Sequence, residues 1–244
     1  MDQQPHSSFV SIGGAIIIAG ALIAIAIIWV KKPIPVVEQK DDTEINTQVE
    51  IRPISSTDHI LGNPNAKVKI VEYSDTACPY CKMFNETMVQ IMDEYGPKGE
   101  VAWIYRHFPL DKPDQTGYIK HKNAGNEAQA LECASSLGGN DKFWQYEKAL
   151  YNITPSVTSE TPEGLDQKLL PEIAKQIGLD AVSFNECMTS GQFKDKVEAD
   201  YLDGINIGVS GTPYSIVITP SGTQIPLMGA QPYQAIKTAI DTIQ

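Results

Sequence analysis

Two cysteines, Cys78 and Cys81, enclose Pro79 and Tyr80 where a strand pattern gives way to a helix pattern, and this junction limits the chain more than any other feature. Upstream, Lys67 to Tyr73 (KVKIVEY) reads as a strand, joined to the cysteines by Ser74-Asp75-Thr76-Ala77. Downstream, Phe84, Met88, Ile91, Met92 and Tyr95 recur at helical spacing until Gly96-Pro97 stops them. Thiol–disulfide exchange needs one cysteine held as thiolate and a second close enough to resolve the mixed disulfide. Cys78 at a helix N-terminus meets unpaired amides and the positive end of the helix dipole, both favouring the anion. Pro79 suits the first turn because it has no amide hydrogen to leave unpaired. Cys81, one turn on, is placed to resolve. The other reading of such a pair is half of a structural zinc site. Cys133 and Cys187 are solitary, however, and none of His59, His107 and His121 sits close to a cysteine in sequence, so no metal is expected.

Beyond this junction, Val101 to Phe108 reads as a second strand ended by Pro109. Helical spacing then recurs in Ala124–Leu137, Phe143–Tyr151, Leu165–Ile177, Val182–Met188 and Phe193–Ile205. Strand pattern returns in Tyr214–Thr219 and Thr223–Met228 around a Thr-Pro-Ser-Gly turn, before a last helix over Tyr233–Ile243. This order predicts an α/β, thioredoxin-like fold over residues 59–244, interrupted by an inserted α-helical domain at about 112–207. Residues 31–58, rich in Pro, Thr, Gln and charge without periodicity, read as a tether.

Ahead of the tether, after a short tail over 1–8, Phe9 to Val30 contains no charged residue. At about 1.5 Å per residue it spans a hydrocarbon core of about 30 Å, so 9–30 is expected to be a transmembrane anchor. A cleaved signal peptide is the alternative; the leader lacks a positive n-region and the apolar run exceeds a typical h-region. Lys31 and Lys32 follow the span and no Lys or Arg precedes it, so the positive-inside bias alone would leave the large domain in the cytoplasm. Long domains translocate largely regardless of that bias, and disulfide chemistry requires an oxidising compartment. We therefore expect a single-pass membrane protein with its domain extracytoplasmic, in the cell envelope. The formal charge of −11 argues against nucleic acid as a partner.

From about His59 onward the chain resembles the DsbA-like thiol–disulfide oxidoreductases. The resemblance is carried by Gly62-Asn63-Pro64-Asn65-Ala66, by Glu72-Tyr73-Ser74-Asp75 before Cys78-Pro79-Tyr80-Cys81-Lys82, by Arg106-His107-Phe108-Pro109-Leu110, and by Gly208-Val209-Ser210-Gly211-Thr212-Pro213. It implies that Cys78 and Cys81 form the redox pair and that Glu72, a buried acid beneath it, moves a proton to or from Cys81. It also implies that Pro213 is a cis-proline facing the pair, and that Thr212 and Pro213, with Pro79 and Tyr80, meet the bound peptide. Some members carry a second disulfide in the helical block, which would join Cys133 and Cys187; buried free thiols are the other reading of those two. The implied function is donation of a disulfide to exported, cysteine-containing proteins by a monomer without cofactor, reoxidised by a membrane partner of the DsbB or VKOR type. A reductase or isomerase, and a non-enzymatic thioredoxin-fold binding or chaperone module, are the competing readings.

Overall fold

The computed structural model describes residues 50–155 and 164–243. The proposed anchor over 9–30 lies outside these residues, and no helix among them is long and apolar enough to cross a membrane. In chain order the elements are β1 (His59–Gly62), β2 (Val68–Ser74), α1 (Pro79–Tyr95), β3 (Val101–His107), α2 (Ala124–Gly138), α3 (Asn140–Ile153), α4 (Leu170–Gln176), α5 (Ala181–Ser190), α6 (Lys194–Asn206), β4 (Tyr214–Ile218), β5 (Gln224–Met228) and α7 (Tyr233–Ile243). The strands form one sheet in the order β1-β3-β2-β4-β5. Only β2 and β3 run parallel, with Glu72 opposite Tyr105 and Tyr73 opposite Arg106. A parallel pair needs a crossover, which α1 supplies.

Strand alternation assigns each side chain to one of two cores. Val68 and Ile70 of β2, with Val101, Trp103 and Tyr105 of β3, face α1, α7 and the inserted helices. Val71 and Tyr73, with Ala102 and Ile104, face the opposite side with Phe108, Val209 and Ile216. With both faces covered, Glu72, Ser74, Arg106 and His107 are all buried and only Lys69 near the start of β2 is half-exposed, so Glu72 and Arg106 must find partners inside. Gly204 of α6 lets that helix approach the second core closely. A Cβ there would stand 2.6 Å from Phe108 Cδ2 and 3.1 Å from Tyr73 Cδ1.

The sequence missed β1, a four-residue edge strand paired antiparallel to β3. It also joined Leu165–Ile177 into one helix. A 3-10 turn at Gln167–Leu169, capped by Asp166, precedes α4, and Pro171 near the start of α4 begins the new helix. The tether assigned to residues 31–58 ends earlier than expected, because the stretch from Ile51 is already fixed to the domain. Ile51 is buried, and Arg52 hydrogen-bonds Asp200 at 2.8 Å. Fully buried Arg106 donates from Nε to Asp58 at 2.9 Å and from Nη1 to Asp203 at 2.7 Å. Such buried charges impose partners that a hydropathy pattern cannot reveal.

Replacing Arg106 with Met should strand Asp203 without its cation and leave Asp58 with Arg52 alone. We expect a loss of about 3–5 kcal/mol in denaturant melts, the range for breaking one side of a buried ion pair.

Candidate active site

Strand β2 ends at Ser74, and the next three residues are fastened before the helix begins. The Cys78 amide donates to the Asp75 carbonyl at 3.0 Å, and the Ala77 amide to Asp75 Oδ1 at 2.7 Å. Asp75 Oδ2 accepts from the Leu110 amide at 2.8 Å and pairs with His121 Nδ1 at 2.9 Å. Thr76 Oγ1 donates to Glu127 Oε2 of α2 at 2.7 Å. The turn is thus held by the inserted helices as well as by the sheet. Cys78 occupies the N-cap of α1 in extended conformation, with Pro79 in the first turn and no acidic residue there to oppose an anion.

The two thiols are free and their environments differ. Cys78 Sγ lies 3.5 Å from the Thr212 carbonyl, in the loop whose Thr212–Pro213 bond is cis. A hydrogen bond from the Cys81 thiol, opposed by burial and aided by Thr212 and the Cys81 amide, lowers the Cys78 thiol from 9.0 to about 6. Cys81 is wholly buried, and its sulfur accepts from the Asp75 amide at 3.4 Å. Burial, then the hydrogen bond it gives to Cys78, pushes it well above its ordinary value. One thiol is therefore a thiolate at neutral pH and the other a neutral acid, the division that exchange chemistry requires.

Behind the pair, Glu72 is buried in the sheet. Ser74 Oγ donates to its Oε1 at 2.6 Å and Trp103 Nε1 to its Oε2 at 2.9 Å. Burial outweighs both bonds and raises its carboxyl to about 7, within reach of physiological proton exchange. Tyr151 of α3 packs against both cysteines.

The fold thus brings Glu72, Cys78, Cys81, Thr212 and Pro213 together. Pro79 is half-buried and Tyr80 is 61% exposed beside them. Cys133 of α2 and Cys187 of α5 are joined by a disulfide with Cα atoms 5.8 Å apart, within the insertion rather than at the redox pair. Among the described residues, no group of three or more His, Cys, Asp and Glu side chains could hold a metal ion. Sequence reasoning did not single out Ser74, Asp75, Thr76, His121, Glu127 or Tyr151. The first three adjoin the motif and could have been weighed as its backbone anchors. The last three lie on the insertion, and only folding makes them neighbours.

Burial also raises Glu127 to about 7. A carboxyl whose folded value is raised contributes stability below its unfolded value and loses it as pH climbs through the folded one. Stability should therefore fall between about pH 4.5 and 7, by roughly 3 kcal/mol for each of Glu72 and Glu127. Melts across that range should show a shallower fall for Glu72→Gln and for Glu127→Gln. Thiolate absorbance of the reduced protein should titrate with a midpoint near 6 for Cys78.

The family described as Thioredoxin matches residues 55–242. The chain is 28% identical over 162 residues to a probable disulfide bond formation protein D of Bacillus anthracis, a match covering 65% of this chain and 68% of that one. It is also 30% identical over 102 residues to a Na+/H+ antiporter of Mycolicibacterium gilvum, covering 41% of this chain but only 15% of the antiporter. Among solved structures, Wolbachia pipientis alpha-DsbA1 superposes with a TM-score of 0.66 at 22% identity, over 80% of this chain and 95% of that one. A helix-capped cysteine pair facing a cis-proline, on a sheet split by an inserted helical block, agrees with these likenesses: the chain belongs to the thioredoxin family, as a DsbA-like thiol–disulfide oxidoreductase.

Proposed function

We propose that the chain works as an oxidase anchored on the outer face of a membrane, donating the Cys78–Cys81 disulfide to exported proteins and regaining it from a membrane partner of the DsbB or VKOR type. The observation that carries the direction is the environment of Cys78, whose thiol is lowered to about 6 by Cys81 and the Thr212 loop. Whatever stabilises that thiolate stabilises the dithiol over the disulfide and makes the disulfide the stronger oxidant.

In this reading a client thiolate attacks Cys78 Sγ. The Cys78–Cys81 bond breaks, and its electron pair stays on Cys81. Cys81, with its raised value, takes a proton from Glu72. A second client thiolate attacks the client sulfur of the mixed disulfide and expels Cys78 as thiolate. Thr212, Pro213, Pro79 and exposed Tyr80 border the attacked sulfur and would hold the client backbone. The name of the Bacillus anthracis relative favours disulfide formation over reduction, and the uncharged run over 9–30 supports the anchor.

A thiol with a lowered folded value adds stability above its unfolded value, and that stability is lost as pH falls through the folded one. The reduced protein should therefore be more stable than the oxidised one at pH 8, with a gap that closes as pH falls through about 6. Matched melts with Cys133–Cys187 intact in both states test this. An oxidised form stabler by more than about 1 kcal/mol, equivalent to roughly 20 mV, would make the protein a reductase instead.

Protease added to intact spheroplasts should digest the domain from about His59 onward. Complete protection would place it in the cytoplasm, as Lys31 and Lys32 alone would have it.

A further inference from the structure

Asp75 holds the active-site turn together from both its backbone and its side chain. Its amide donates to Cys81 Sγ at 3.4 Å, and its carbonyl accepts from the Cys78 amide at 3.0 Å. Its two carboxyl oxygens accept from the Ala77 amide at 2.7 Å and the Leu110 amide at 2.8 Å. Amides on both oxygens suit a carboxylate, which accepts and does not donate. The same charge is a liability, because it is buried three residues from a sulfur that must ionise. Cys81, through its hydrogen bond, lowers the Cys78 thiol, and the Asp75 charge works against it.

A histidine meets that charge. His121 Nδ1 stands 2.9 Å from Asp75 Oδ2, and both side chains are buried. The His121 amide donates to the Leu110 carbonyl at 3.0 Å, and its carbonyl accepts from the Ala124 amide at 3.1 Å where α2 begins. Leu110 thus binds Asp75 through its amide and His121 through its carbonyl, which closes a ring of three residues beside the redox pair.

We infer that His121 is a positioning residue of the redox centre: protonated, it offsets the Asp75 carboxylate, and so sets how readily Cys78 ionises and how strongly the Cys78–Cys81 disulfide oxidises. The inference rests on Cys78 leaving the exchange as a thiolate, as in the oxidase reading.

The groups around the imidazole decide its charge. Asp75 faces it from the turn, Cys78 from the start of α1, Glu127 from α2 and Lys120 from its own loop, where Asp111 also acts on Asp75. Burial works against an imidazolium, but the hydrogen bond to Asp75, the Asp75 charge and the Cys78 charge outweigh it and Lys120, and hold His121 above its ordinary value. Glu127 adds little, because burial raises that carboxyl to about 7. Thiolate and imidazolium therefore favour one another, and coupling between two binding equilibria is reciprocal. Closing the disulfide removes the thiolate charge, so His121 releases its proton more readily in the oxidised protein.

The test titrates the full chain in detergent micelles by NMR of isotope-labelled histidines, in both redox states with Cys133–Cys187 intact. His121 is assigned by its absence from His121→Asn and His121→Gln; the asparagine keeps an N–H donor near the position of Nδ1 and loses the charge. The His121 midpoint should lie about one pH unit higher in the reduced protein, and the Cys78 midpoint should rise by the same amount from about 6 in His121→Asn. The equilibrium constant for oxidising glutathione should fall about threefold in His121→Asn at pH 7, equal to roughly 15 mV, and should return to the unmutated value at pH above the His121 midpoint. A displaced turn would change that constant by one factor at every pH. Equal His121 midpoints in the two redox states, or a pH-independent change in His121→Asn, would overturn the inference and leave the oxidase reading standing. A Cys78 thiol that titrates near its ordinary 9.0 in the unmutated protein would overturn both.

Discussion

The burial of a carboxyl at the centre of the sheet is the constraint on which the rest of the site depends. Glu72 lies on the face of β2 that Val68 and Ile70 give to the larger core, so it cannot reach solvent. Its charge is disfavoured there, and the hydrogen bonds from Ser74 and Trp103 only partly offset that cost. The result is an acid near neutrality beside a thiol that cannot ionise unaided. Had β2 been an edge strand or the sheet open on one face, Glu72 would behave as an ordinary surface carboxylate.

The same strand sets the electrophilic end of the site. Where β2 stops, Asp75 and Thr76 fasten the turn, and the helix starts with Cys78 as its cap. The N-cap position brings Cys78 within reach of the Cys81 thiol one turn on, and the hydrogen bond from that thiol, helped by Thr212 and the Cys81 amide, is what stabilises the Cys78 anion. What distinguishes its partner is depth. One turn along α1, Cys81 faces the core and is fully buried, so two cysteines three positions apart differ sharply in acidity.

The inserted helices complete the catalytic unit rather than merely covering the sheet. They bring Glu127 to the turn and Tyr151 to the cysteines, and the loop before α2 adds His121 to the turn. Their own coherence is helped by the Cys133–Cys187 disulfide, which links residues 54 apart in sequence and stabilises by roughly 4 kcal/mol in the chain-entropy view. On the far side of the sheet, Arg106 gathers Asp58, Asp203 and Tyr73, fixing the segment that leads in from the tether.

The redox pair, the strand character of β2 and β3, α1, the helical character of the insertion and the final hairpin and helix are legible in the sequence alone. These are local matters of periodicity, turn residues and cysteine spacing, which act over a few neighbouring positions. The family resemblance added Glu72, Thr212 and Pro213. Folding alone settles that both faces of β2 are covered, that Arg106 is an interior cation, that β1 pairs with β3, and that Ser74 and Tyr151, 77 positions apart, share a hydrogen bond. The physical reason is that burial and long-range hydrogen bonding depend on which surfaces meet. A carboxylate on a strand reads alike in sequence whether its face is wet or covered, and here both faces are covered.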